Sequence, residues 1–307
     1  TAAKPPAAVG VLCARPSPTS AELSAGFELT FLHTRHSALQ GSFAEHIVAL
    51  ESCTTATGER IPVVAVRTPQ DLARCRALVV PGGESTTISL LIRKSGLYEP
   101  LKDFVRRAKT GQGERSLWGT CAGMILLARE IGGPTSEGWE GLDGMDVRVV
   151  RNQYGRQVRP CFLEAEASPL PHRLTSSSSS LALQSFSHGV SLPFLSTPDP
   201  LLATFIRAPI LHSLLPPAAD APPSPPVEVL ARIPRELVPA PKRALAATGA
   251  QAELGPEADA VMYRQGDLLA CSWHPELNKG DARVHEWWLR ELVLHEHESS
   301  PRSKAQE

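Results

Sequence analysis

The sequence has almost no net charge. Its 31 lysines and arginines stand against 32 aspartates and glutamates, a formal −1 at pH 7. Without an excess of either sign, the chain projects no general field toward nucleic acid or an anionic membrane surface. Long apolar runs are missing too. None approaches the roughly 20 residues that span a bilayer, and the opening TAAKPPAAVGVL holds too short an apolar run for a secretory leader. The six cysteines, Cys13, Cys53, Cys75, Cys121, Cys161 and Cys271, include no CxxC pair. That argues against a zinc site or a disulfide framework and for a reducing, cytoplasmic setting. No metal is expected: His295 and His297 have no evident third ligand and read as a solvated helix end.

What is present is an alternation. With 307 residues the chain can fill one large α/β domain. Ala7 to Leu12 reads as a first buried strand, and Gly41 to Leu50 has helical spacing at Phe43, Ile47 and Leu50. Pro62 to Val66 is a second strand, and Thr68 to Leu72 is a connector or short helix. Ala77 to Val80 is a continuous apolar run, as expected of a buried parallel strand. A helix over Thr86 to Ala108, broken near Gly96, precedes a strand at Ser116 to Gly119 and a helix from Cys121 to Ile131. The pattern predicts an α/β fold in three layers, a mostly parallel central sheet with helices on both faces. Such sheets hold ligands at the carboxyl ends of their strands. The second half is less regular. Met145 to Val149, Ala260 to Tyr263 and Leu268 to Trp273 are strand-like, and Asp281 to Leu294 is a closing helix. The serine run at Ser176 to Ser180 and the proline-rich Leu215 to Pro226 read as surface loop or disorder.

Three stations could carry chemistry. The first is LWGTCAGM, where a strand meets Cys121 among small residues and a helix follows. This is the setting of a nucleophile elbow: small neighbours admit a strained turn, the helix start favours thiolate, and the Ala122 amide can face an oxyanion. A lone cysteine in such a setting is more often simply buried. The second is PGGEST, Pro81 to Thr86, whose glycines free backbone amides to approach an anion. Alone it is an ordinary turn. The third is SWHPEL, Ser272 to Leu277. In an extended chain His274 and Glu276 project to one side. Imidazole can take a thiol proton and a carboxylate can orient the imidazole. A lone H-x-E is nearly uninformative.

Taken in order, the three are specific. With LQGSFAEH at Leu39, RNQYGRQV at Arg151 and FIRAP at Phe205, the sequence resembles the class I (triad) glutamine amidotransferases. Within them it resembles the glutaminase subunit of pyridoxal 5′-phosphate synthase. The resemblance implies a flavodoxin-like fold and hydrolysis of L-glutamine to glutamate and ammonia without a cofactor. Cys121 would be the nucleophile, His274 the base and then acid, and Glu276 its orienter. The Gly83 and Ala122 amides would hold the oxyanion. Gly83, Glu84, Ser85, Arg151, Ile206 and Arg207 would contact glutamine. The implied partner is a (β/α)8-barrel synthase subunit that receives the ammonia to build pyridoxal 5′-phosphate. Rival readings are another triad amidotransferase, a cysteine hydrolase or chaperone of the same superfamily, and a non-catalytic binding subunit. PGGESTT, RNQYGRQ and FIRAP favour the vitamin B6 branch over the first, and the H-P-E station disfavours the second. The intact triad argues against the third.

The chain departs from that family in irregular spans at about 13–37 and 159–183, with a further one at about 212–258, inside what otherwise reads as a single domain over 1–307. The first two have two readings. They are surface loops, which cost little when long, or translated introns, slightly favoured because both open on residues whose codons can spell a donor-like start (Leu12-Cys13-Ala14 and Val158-Arg159).

Overall fold

A computed structural model describes residues 8–13, 42–132, 139–151, 185–195, 199–218, 223–238 and 254–296. The first half follows the expected alternation: β1 (Ala8–Leu12), α1 (Phe43–Ser52), β2 (Val63–Val66), α2 (Pro69–Ala73), β3 (Cys75–Val80), α3 (Ser85–Lys94), α4 (Tyr98–Lys109) and β4 (Ser116–Thr120). The connector at Thr68 is a true helix start. The Thr68 hydroxyl accepts the Asp71 amide while the Asp71 carboxylate accepts the Thr68 amide, a reciprocal cap. The break between α3 and α4 sits where expected, and Gly96 takes φ +72° there, a conformation open to glycine without strain.

After β4 the chain forms α5 (Ala122–Leu127), β5 (Ala128–Gly132), β6 (Met145–Val150), β7 (Ser185–Val190), β8 (Leu201–Ile206), β9 (Ile210–Leu214), β10 (Glu228–Arg232), β11 (Ala260–Gln265), β12 (Leu268–Cys271) and α6 (Arg283–Trp288). The last continues as a π-helical turn over Leu289–Leu294. Seven strands form the central sheet in the order β10-β11-β12-β4-β3-β1-β2. Every pairing from β12 to β2 is parallel, and only β11 runs against its neighbours. β5, β6 and β9 make a second small sheet, and β7 with β8 a hairpin.

The central strands are buried on both sides, which is why they read as unbroken apolar runs. Along β3, Ala77 and Val79 join one core with Val9, Val11, Trp118, Leu50 and Trp288. Leu78 and Val80 join the other, with Leu117, Ile88, Leu101, Phe104 and Leu126. So α1 and α6 cover one face, and α3, α4 and α5 the other. Each fully buried Leu or Phe contributes roughly 1.5–3 kcal/mol through its removal from water.

Three expectations fail. The helix expected from Cys121 to Ile131 stops at Leu127, and Ala128–Gly132 is a strand paired with β6. The carbonyls of Leu126 and Leu127 accept the Leu142 and Gly144 amides at 2.7 and 2.9 Å, so the loop takes acceptors that the next helical turn would have used. The span at 212–258 is not irregular throughout. It includes the end of β9 and all of β10, which closes one edge of the central sheet against β11. The closing helix begins at Arg283, two residues after the expected start at Asp281. The spans at 14–37 and 159–183, with Gln40, Gly41, Cys161, residues 152–158, the serine run and His297, lie outside the described residues. Cys13 lies inside them, and its amide extends β1 by bonding the Val66 carbonyl at 2.9 Å. Among the described residues no helix is long and apolar enough to cross a membrane.

Candidate active site

β4 delivers Cys121 to the carboxyl end of the sheet. There the backbone turns at φ 49°, ψ −101° before α5 begins. A positive φ at a non-glycine residue costs roughly 1–3 kcal/mol and needs surrounding structure to hold it. Two features do so. The Cys121 amide donates to the Cys271 carbonyl at the end of β12, 2.9 Å away. Gly123, in the first turn of α5, lies so close to β3 that a Cβ there would sit 2.1 Å from the Val80 carbonyl oxygen. The small residues around the sulfur are therefore what let the elbow seat against its neighbouring strand.

β12 lies beside β4 and delivers the second group. Leaving the sheet, the chain is held by the His274 amide donating to the Thr204 carbonyl of β8 at 2.9 Å. Pro275–Leu277 then forms a 3-10 turn. The expected extended H-P-E geometry is thus replaced by a turn, because Pro275 opens a helical rather than a β conformation. The two side chains still meet: His274 Nδ1 and Glu276 Oε1 are 2.7 Å apart. With Nδ1 so engaged, Nε2 is left for the Cys121 sulfur, whose charge also acts on the same imidazole. Burial alone would depress the His274 imidazole, but the Glu276 carboxylate and the Cys121 sulfur outweigh it and raise it well above its ordinary value. Burial would likewise raise the Glu276 carboxyl, but His46 and His274 hold it well below the usual range. A sulfur, an imidazole and an ionised carboxylate thus stand in series, all but closed to water: Cys121 is 5 %, His274 7 % and Glu276 6 % exposed.

The loop after β3 packs on this series. A Cβ at Gly82 would lie 2.4 Å from His274 Cε1 and 3.2 Å from the Cys121 Cβ, so any larger residue must displace the imidazole. Gly83 is exposed and takes φ +149°. Glu84 uses its carboxylate to cap α3, accepting the Thr86 and Thr87 amides at 3.0 and 2.6 Å. These bonds overcome the effect of burial and lower its pKa. Ser85 is buried at the first position of α3. The Ile206 carbonyl, at the end of β8, lies 3.8 Å from Cys121 Sγ. Arg207 follows it at φ 47°. Arg151 follows β6, its guanidinium 5.9 Å from the centre of the Trp139 ring. Among the described residues no cluster of three or more His, Cys, Asp or Glu could hold a metal ion.

Behind Glu276 stands a pair that the sequence reading assigned no role. His46 and His285 are completely buried. His46 Nε2 lies 3.2 Å from Glu276 Oε2 and 3.2 Å from the Thr120 hydroxyl, and its Nδ1 lies 2.9 Å from His285 Nε2. Of the two contacts at Nε2, only the one with Thr120 is a hydrogen bond, and Glu276 Oε2 is a close contact with no hydrogen-bond partner. The helical spacing of α1 held a signal for His46. The expected stripe was Phe43, Ile47 and Leu50, but the fully buried positions are His46 and Leu50, a stripe rotated by one residue.

The SNO glutamine amidotransferase family matches residues 37–177 of the chain. The pyridoxal 5′-phosphate synthase subunit PdxT of Pelotomaculum thermopropionicum is 37 % identical over 256 residues, which cover 83 % of this chain and 93 % of that protein. The pyridoxal 5′-phosphate synthase subunit SNO1 of Saccharomyces cerevisiae is 33 % identical over 258 residues, 83 % of this chain and 91 % of that one. A solved glutamine amidotransferase superposes with a TM-score of 0.54 at 30 % identity, covering 93 % of this chain and 98 % of its own.

Proposed function

Because the chain belongs to the SNO glutamine amidotransferase family, we propose that it is the glutaminase subunit of a pyridoxal 5′-phosphate synthase, hydrolysing L-glutamine to glutamate and ammonia. The observation that supports this reading is the series Cys121, His274, Glu276, with the buried imidazole 2.7 Å from the carboxylate and electrostatically coupled to the sulfur.

His274 takes the thiol proton of Cys121, and the sulfur attacks the side-chain amide carbon of glutamine. The carbonyl oxygen becomes an oxyanion, which we assign to the Gly83 and Ala122 amides. His274 then gives its proton to the departing nitrogen, and ammonia leaves a thioester on Cys121. Water, relieved of a proton by the same imidazole, hydrolyses the thioester and releases glutamate. Glu276 keeps Nδ1–H engaged, so Nε2 faces the sulfur throughout. Free glutamine carries a carboxylate and an ammonium, which call for charged and polar partners. Arg151 and Arg207 suit the carboxylate. Gly83, Glu84, Ser85 and Ile206 suit the remainder.

The ammonia passes to a synthase subunit. By likeness to the family that subunit is a (β/α)8 barrel, and the setting is cytoplasmic. We read the described sheets as parts of one glutamine amidotransferase domain. The test is ammonia release from glutamine, measured with the synthase subunit present. Cys121→Ala should abolish turnover while leaving the urea unfolding curve nearly unchanged. Near-normal turnover in that variant would end the assignment.

A further inference from the structure

Glu276 has two oxygens, and only Oε1 is used by His274. A carboxylate buried at 6 % exposure and held ionised needs a positive or donor neighbour on the other oxygen as well. The neighbour present is His46 Nε2, and both side chains are wholly out of solvent. An ionised carboxylate only accepts, so His46 must keep its hydrogen on Nε2. The same hydrogen is directed at the hydroxyl of Thr120, the residue immediately before the nucleophile. His46 thus touches both arms of the site, the end of β4 that carries Cys121 and the turn that carries Glu276.

His285 is compatible with a hydrogen on His46 Nε2. It lies 2.9 Å from His46 Nδ1. Burial, with His46 beside it acting in the same direction, pushes the His285 imidazole down to about 3, so it stays neutral. A neutral imidazole can donate to a bare His46 Nδ1, which leaves Nε2 free of His285. Its own Nδ1 has no hydrogen-bond partner, so nothing else fixes its tautomer. Trp118 packs against both rings, with centroids 5.8 Å from His46 and 5.0 Å from His285. The rings are confined as well as bonded.

We propose that His46 is a positioning residue of the triad: it holds Glu276 and the end of β4 in register so that His274 faces Cys121, with His285 as its backstop. This rests on the glutaminase reading for its consequence in turnover. The geometric claim stands on the cysteine alone and is read without glutamine. The titratable groups facing the His46–Glu276 contact are His274 and Cys121 in front, His285 behind and Cys271 on β12.

The experiment follows the pH dependence of Cys121 alkylation by iodoacetamide in wild type, His46→Leu, His46→Gln and His46→Asn, with kcat and KM for glutamine measured beside it. Cys121→Ala identifies the reactive thiol. In His46→Leu the carboxylate loses its second neighbour and His274 is less well held as imidazolium. The alkylation midpoint should therefore move up by about one pH unit, and kcat should fall roughly 10- to 100-fold, the range that loss of a partner orienting a functional histidine causes at metal sites. KM should change less than threefold. His46→Gln, whose amide nitrogen reaches about where Nε2 lies, should recover most of the loss. His46→Asn, one bond shorter, should not. In a Glu276→Gln background His46→Leu should add little, because both changes break one contact. A wild-type midpoint and kcat in folded His46→Leu overturn the proposal, as do equal midpoints for the Gln and Asn variants should the Leu variant fail to fold. If glutamine is not hydrolysed even by wild type, yet the midpoints move as stated, the function reading fails and the positioning claim stands.

Discussion

His285 makes a quantitative demand on acid stability. Its imidazole is pushed from an ordinary 6.5 down to about 3 in the folded chain, by burial first. A histidine with a depressed folded value stays neutral while its unfolded counterpart takes up a proton. Its contribution is therefore complete above pH 6.5 and is lost as pH falls from 6.5 toward about 3. Each pH unit inside that window costs about 1.4 kcal/mol, so by pH 5 the loss is about 2 kcal/mol relative to pH 7.5. Two other buried groups titrate nearby. Glu276, held low, loses stability in the same direction, but only once the pH drops below its ordinary 4.5, so the comparison stops at pH 5. His274, held high, has the opposite sign, and its contribution is shared by both proteins and cancels in the difference. The perturbation is His285→Gln, which keeps an amide donor and acceptor but cannot titrate. Urea unfolding at pH 7.5, 6 and 5 gives the free energies. The variant starts less stable because it packs less well. Between pH 7.5 and 5 wild type should lose about 2 kcal/mol more than the variant. Parallel pH curves would mean that His285 is not held neutral, and the account of the His46–His285 contact would fall with it.

Gly82→Ala should fold yet lose at least about 100-fold in kcat, because its methyl group meets the His274 ring and misplacement of about 1 Å is that costly; single-turnover acylation measures it. Arg207→Ala should raise KM for glutamine about tenfold or more, by removing a charge partner of the bound zwitterion; an unchanged dissociation constant shows that Arg207 does not touch substrate. A chain lacking 14–37 and 159–183, with Cys13 retained because its amide bonds Val66, should express better than the full chain and bind the synthase subunit more tightly. Equal yield, binding and ammonia release in the two chains would make both spans tolerated loops.

The parallel core was legible because its strands carry their burial in their own composition: ALVV and SLW are apolar on both faces whatever surrounds them. The cysteine elbow was legible because a strained turn and a close helix demand small residues locally. Other elements depend on distant partners. β8, LLATFI, alternates between buried and half-open positions, and its residues do not separate by polarity, so the period is hidden. β10 follows a proline-rich stretch, and its place is set by pairing with β11. The helix end at Leu127 is set by amides from Leu142 and Gly144. His46 becomes intelligible only when Glu276 and His285, far away in sequence, are brought to it. A lone histidine on an apolar helix face does not announce that.

The place of β4 in the sheet has a consequence for how the chain is made. One flank of β4 is closed by β3, which the ribosome has already delivered. The other waits for Leu268–Cys271. Until that segment emerges, the nascent chain presents an apolar strand with an open edge, the state in which partly made proteins pair wrongly or recruit chaperones. The same delay is a safeguard. The sulfur leaves the tunnel long before its base, and the strand that completes the sheet is the one that brings His274. A glutaminase built this way cannot release ammonia from an unfinished chain.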